Sequence, residues 1–322
     1  MKKSTVVILI VALCLFVSGV IICGGVLTMS DAFGSGFENK GNVSYAERTE
    51  TITEKFVNVD VDAVSGSVEL FPSSADECKV ECSESEGFYF DIRTEGDTLK
   101  VKRVDTGKWF RFFDFSKEYV KVYLPQGTYE DISLGTISGK VVVNDGLSCN
   151  NLWAKSNSGS VRVYSLNAAG TVKLYTTSGS VAGDTIKANE LTASSASGKA
   201  TIGNVEVAGA MEVGCTSGKI EVSNADCNSF NAKNNSGSIT LSDVISATTL
   251  RAKNTSGKIE VLGCDGQNLD LSSVSGSIRG TILTDKVFVA DSTSGRVRVP
   301  DTTQGGVCKA HTVSGSIDLE VK

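Results

Sequence analysis

Two glutamates are the first residues to weigh for chemistry. Glu221 and Glu260 sit in matching contexts, Lys219-Ile220-Glu221 and Lys258-Ile259-Glu260. Carboxylate pairs hydrolyse glycosides when one is held protonated and the two stand roughly 5–9.5 Å apart. A carboxylate beside an ammonium stays ionised instead and forms half of a surface ion pair. A carbohydrate-active enzyme is therefore kept only as the third of three functional readings. The cysteines are the next nucleophiles. There are nine, with no Cys-x-x-Cys pair. Cys14 and Cys23 fall in an apolar N-terminal run. The other seven (Cys78, Cys82, Cys149, Cys215, Cys227, Cys264 and Cys308) are odd in number, so they cannot all pair within one chain. They are expected as small buried apolar residues. The single histidine, His311, removes any site built on two, and its position predicts a surface side chain. No catalytic residue, cofactor or metal site is assigned. One cationic set stands out: Lys199, Lys219, Lys258 and Arg296 share a sequence register. Such a row could meet an anionic wall polymer, or could be a solvated face.

What places these residues in register is a repeat. Ser-Gly occurs at 138, 158, 178, 197, 217, 236, 256, 275, 294 and 314, in steps of 19 or 20 residues. An eleventh, Ser65-Gly66, lies upstream. Aligned on the serine, apolar residues stand six and four positions before it, as in Leu191 and Ala193 or Leu250 and Ala252. They recur three and mostly five positions after it, as in Ile220 and Val222. This is period-two alternation on either side of a turn, and it predicts two short strands per unit. The turn glycines are Gly139, Gly159, Gly179, Gly198, Gly218, Gly237, Gly257, Gly276, Gly295 and Gly315, expected there for their tolerance of positive φ. A unit this short cannot bury its own apolar face, so units must stack. The expected fold is all-β: a parallel, right-handed β-helix or solenoid with 19–20 residues per coil. Ten coils at about 4.8 Å each make a rod on the order of 50 Å long. Two positions before the serine stand Thr136, Ser156, Thr176, Ser195, Cys215, Asn234, Asn254, Ser273, Ser292 and Thr312. Parity points this column inward, where small polar groups can bond the turn backbone in a ladder.

The chain divides at composition changes. Lys2 and Lys3 precede an apolar run through residues 6–27, and the next charge is Asp31. Roughly 20 apolar residues span a bilayer, so residues 1–30 read as a single-pass anchor or an uncleaved signal. The lysines place the N-terminus in the cytoplasm and the bulk of the chain outside it. Residues 31–50 are rich in Gly, Ser and Asn and read as a flexible linker. Residues 51–130 read as an N-terminal β cap with a first coil, and 131–322 as the ten-repeat solenoid. Trp109-Phe110-Arg111-Phe112-Phe113 carries aromatics on both parities. Such a strand is either sandwiched in the cap or exposes a patch for a membrane or partner. The last repeat runs to Ile317-Asp318-Leu319-Glu320-Val321-Lys322, so either the outward charges Asp318, Glu320 and Lys322 blunt that edge or another chain covers it by end-to-end self-association through the C-terminal coil. The balance of 31 Lys and Arg against 37 Asp and Glu gives no basis for nucleic-acid binding.

Val120-Lys121-Val122-Tyr123-Leu124-Pro125 leads into Leu134-Gly135-Thr136-Ile137-Ser138-Gly139-Lys140-Val141 and then serial Ser-Gly-[Ser/Lys]-[Val/Ile] units. Over about residues 52–322 this resembles the bacterial β-strand-repeat "putative adhesin" family of LiaG-like and YvlB-like envelope proteins. The resemblance implies the solenoid fold and no defined catalytic residues. The leading functional expectation is a membrane-anchored, extracytoplasmic, adhesin-like or structural envelope protein that is not an enzyme. Its partners would be a wall polymer or an envelope protein. The second is an accessory or sensor of an envelope-stress response.

Overall fold

The computed structural model describes residues 45–106 and 118–322. The expected anchor (1–30) and the aromatic run Trp109–Phe113 lie outside the described residues. Every element among the described residues is a β-strand, 24 in all, and they belong to one compact unit, Tyr45–Lys322.

A coil has three extended sides rather than two. In one turn they are separate strands, Val161–Val163, Leu166–Ala168 and Thr171–Thr176, and in later turns they run on as one, as in Ala200–Ser217. The strand missed in the sequence lies between the two that flank the Ser-Gly turn. Its inner residues, such as Leu166 and Ala168 or Ala225 and Cys227, are buried. Three corners join the three strands. One corner holds Thr185, Asn204, Asn224, Asp243 and Gly263, all at φ between 50° and 64°. Asn and Asp tolerate this left-handed conformation better than most residues. They also bond up the stack: Asn204 Nδ2 donates to Asp184 Oδ1 at 2.7 Å, and Asn224 Nδ2 to Asn204 Oδ1 at 3.0 Å.

The Ser-Gly corner has a different cause from the one expected. Positive φ is confined to Gly218, Gly237 and Gly257 among the ten turn glycines. What all ten share is contact with a neighbouring coil. A Cβ on Gly159 would stand 1.7 Å from the carbonyl oxygen of Gly139, and one on Gly198 would stand 1.9 Å from that of Gly179. Glycine is required because two backbones touch there. The polar ladder completes this corner. Ser156 Oγ donates to Gly139 O at 2.8 Å, Thr176 Oγ1 to Gly159 O at 2.7 Å, Ser195 Oγ to Gly179 O at 2.8 Å, and Asn234 Nδ2 to Gly218 O at 2.8 Å. Each carbonyl tucked under the next glycine thus finds a buried donor.

The coils do not stack in chain order at either end. Near the C-terminus, Gly306–Ser314 pairs with Ile259–Ser275 on one side and with Lys286–Ser292 on the other. Ile317–Val321 likewise lies between Ile278–Ile282 and Val297–Arg298. The last repeat is therefore inserted beneath the penultimate one, and residues 286–298 form the outermost coil. The glycine contacts follow the same order, Gly276 to Gly315 to Gly295. This corrects the expectation that Ile317–Lys322 forms the end. The N-terminus shows the same exchange. Asn58–Asp62 is flanked by Thr98–Asp105 and Thr128–Thr136, so the second coil sits outside the first.

The N-terminal end is closed by antiparallel strands. Phe88–Glu95 pairs with Thr98–Asp105, and Cys78–Glu84 pairs with both Tyr119–Pro125 and Ala46–Ile52. Ala46 to Glu50, expected within the linker, are thus part of the cap. Arg103 and Glu118 form a buried ion pair at 3.4 Å, with the Arg103 guanidinium over the Phe88 ring.

All seven cysteines outside the first 44 residues are free thiols and buried. Burial pushes Cys78, Cys82, Cys149 and Cys308 up to about 12, and Cys227 up to about 11. The thiolate is the reactive form. Alkylation at neutral pH should therefore spare these seven in the native protein and modify all of them in denaturant. Peptide mapping after iodoacetamide treatment reads this directly. Labelling of any of the seven in native buffer would contradict the packing.

Candidate functional site

The two glutamates first weighed for catalysis are ion-paired. Glu221 stands across Thr240 from Glu260, one coil on either side. Lys199 and Lys219 both bond Glu221, and Lys258 Nζ is 3.0 Å from Glu260. The two lysines hold the Glu221 carboxyl below the usual range, so it cannot serve as a proton donor near neutral pH. Those carboxylates also stand beside the cationic row. Lys199, Lys219 and Lys258 lie on one edge of the solenoid, where Lys199 and Lys219 share Glu221 and Lys258 has Glu260, three ammonium groups to two carboxylates. Arg296 lies apart, in the outermost coil, near Arg279, Arg298 and Asp318. His311 is exposed, with Nδ1 2.8 Å from Asp291. Among the described residues, no three His, Cys, Asp or Glu side chains converge in a way that could hold a metal ion.

A concavity lies on another edge. It follows the corner between the missed strand and the strand that leads to the next Ser-Gly turn. Ala169, Asn189, Ala208, Asn228, Ala247 and Gln267 occupy equivalent places in successive coils, immediately after inner residues Ala168, Ala188, Val207, Cys227, Ser246 and Gly266. All six are exposed. Small side chains at this corner leave a groove of 760 Å³ over the coils from Ala168 to Ala247. A second groove of 510 Å³ continues from Ala247 to Gly306. The two share Ala247 and so run along the stack.

The rim is net acidic, with Lys187 and Lys286 set among Glu206, Asp226, Asp265 and Asp285. Lys187 and Glu206 pair at 2.8 Å. At the C-terminal part, Lys286 is buried and its Nζ lies 2.7 Å from Asp265 Oδ1. Burial alone would raise the Asp265 carboxyl. Hydrogen bonds from Lys286, Thr284 and the Gly266 amide outweigh it and hold the group below its ordinary value. This buried pair fixes the groove floor where the exchanged coils meet. The sequence holds a signal for the groove that the repeat alignment on serine passes over: the column alternates alanine with a side-chain amide.

Fold and surface together define a class: a parallel β-solenoid with a glycine-stacked corner, a capped N-terminal end and a lengthwise groove. The chain belongs to the Toastrack DUF4097 family, whose model matches residues 56–242 and 210–322. No curated protein matches it. Among solved structures it is similar to a putative adhesin from Parabacteroides distasonis, at 12% identity and a TM-score of 0.50, covering 86% of this chain and 98% of that one. A putative adhesin from Parabacteroides merdae is 14% identical with a TM-score of 0.48, over 87% of this chain and 98% of that one. A putative lipid binding protein from Parabacteroides distasonis is 16% identical with a TM-score of 0.48, over the same shares.

Proposed function

We propose that this protein is a non-enzymatic, adhesin-like surface of the bacterial envelope. Residues 6–27 tether it to the membrane and the solenoid stands outside the cytoplasm. Its ligand is an uncharged, hydroxyl-rich glycan lying along the groove. The observation that carries this reading is the alternation Asn189, Ala208, Asn228, Ala247, Gln267 along the groove floor. Amides recur every second coil, about 10 Å apart at roughly 4.8 Å per coil. That is close to the length of one disaccharide in an extended β-linked chain. Amides both donate and accept, as sugar hydroxyls require. Alanines between them give the rings room. A periodic ligand on a periodic surface gains by multivalency without a deep pocket.

The test is co-sedimentation of the protein with insoluble neutral polysaccharides and with wall polymer. Ala208→Trp, which fills the groove, should abolish binding. Replacing Lys199, Lys219, Lys258 and Arg296 together by serine should leave it intact. If the serine variant loses binding and Ala208→Trp retains it, the ligand is an anionic polymer on the cationic edge. If neither variant changes what is retained, the groove reading fails.

A further inference from the structure

The two ends of the solenoid differ. At the N-terminal end the core residues of the outermost coil, Leu99, Val101, Val120, Val122 and Leu124, are fully buried beneath antiparallel strands. At the other end the outermost coil has no such cover among the described residues. Phe288, Ala290 and Val299 occupy core columns yet are only partly buried, and Val297 is 37% exposed. Lys286–Ser292 is paired on one side, with Gly306–Ser314. Among the described residues no strand pairs with its other edge, and its outward Val289 is 55% exposed. A free edge over an open core is a template for another strand.

We propose that this edge is a self-association surface, where a second copy of the chain pairs its own residues 286–292 antiparallel across a two-fold axis at Val289. The sequence of the edge favours its own copy. A two-fold at Val289 sets Phe288 opposite Ala290 of the second copy, and Ala290 opposite its Phe288. Large against small on the inner face lets the two cores interdigitate. Outside, Val289 meets Val289, and Val287 meets Asp291. Only one acidic residue lies on the strand and it does not face itself, so no like charges oppose. The fold already closes its N-terminal end with antiparallel strands, so the same geometry completes the core here. Two solenoids joined this way are continuous end to end with isologous contacts, which closes the assembly at a dimer. This placement moves the association expected for the C-terminal coil to the coil that the exchange leaves outermost. It does not rest on the glycan reading.

The experiment uses the full chain in detergent micelles. Mass measured across a concentration series should show a monomer–dimer equilibrium. Val289→Cys should convert to a covalent dimer on mild oxidation, because the two-fold brings the residue within disulfide reach of its copy. Val274→Cys, equally exposed on the side of the solenoid, should not. Ala290→Arg, at a partly buried position of the outermost strand, should reduce dimer at least tenfold while leaving the circular-dichroism spectrum of the folded chain unchanged. A monomer at all concentrations would overturn the proposal. So would a dimer that Ala290→Arg leaves intact, since that would place the contact elsewhere, such as residues 6–27.

Discussion

Gly198→Ala lowers the unfolding free energy by about 3 kcal/mol or more, the upper end of what overpacking costs. The methyl would sit 1.9 Å from the Gly179 carbonyl oxygen and 2.7 Å from its carbon, and both are backbone atoms. No rotamer change relieves this, so two coils must separate. Separation also stretches the hydrogen bond from Ser195 Oγ to Gly179 O and the amide bond from Ser197 to Thr177. Coils above and below depend on this junction, because each contacts only its neighbours. Gly127→Ala is the control. A methyl there would have nothing within 4 Å, so its effect stays within about 0.5 kcal/mol. Urea unfolding followed by circular dichroism compares the two. Equal midpoints would mean that the stacked-glycine account of the corner is wrong.

Much of this architecture is legible in the sequence, for physical reasons. A nineteen- or twenty-residue period with apolar positions fixed relative to Ser-Gly can only be satisfied by stacking. The inward polar column at Ser156, Thr176 and Ser195 is readable from parity alone. The third strand has one uniformly apolar inner column, Leu166, Ile186, Val205, Ala225 and Val244, and is harder to see because the other is chemically mixed: Ala188, Val207, Cys227 and Ser246. Small size is their common property, and an apolar filter does not register it. The left-handed corner has a sequence signal. Asp145, Ser165, Thr185, Asn204, Asn224, Asp243 and Gly263 stand seven after each serine, and several of these types accept positive φ. The coil exchange has none. The repeats at 294 and 314 satisfy the same columns, so either could pack on the coil of Ser275. What separates them is detail. Ile317 and Leu319 are large in the columns that Val297 and Val299 fill less completely.

The exchange makes the second large prediction. Ile317→Ala should cost about 2–4 kcal/mol, as for other buried isoleucines, although it lies in the last strand of the chain. Ile317 is 1% exposed, between Ile278 on one side and Val297 on the other. Val297→Ala, in the same column but in the outermost coil, should cost less than about 1 kcal/mol, because 37% of the residue already faces solvent. Stacking in chain order would reverse this ranking. Val297 would then be enclosed between Ile278 and Ile317, and Ile317 would be the exposed edge. The two orders therefore predict opposite results from the same pair of substitutions. Folding kinetics carry the same signature. The last coil must reach the coil of Ile278 before the penultimate one closes over it, so contacts distant in sequence precede local ones. Such contacts incur loop-closure entropy first and slow folding. A chain ending at residue 300 lacks the inserted coil, and its residues 286–298 can dock directly on the coil of Ile278. That truncated chain should refold faster than the full one while retaining a cooperative transition.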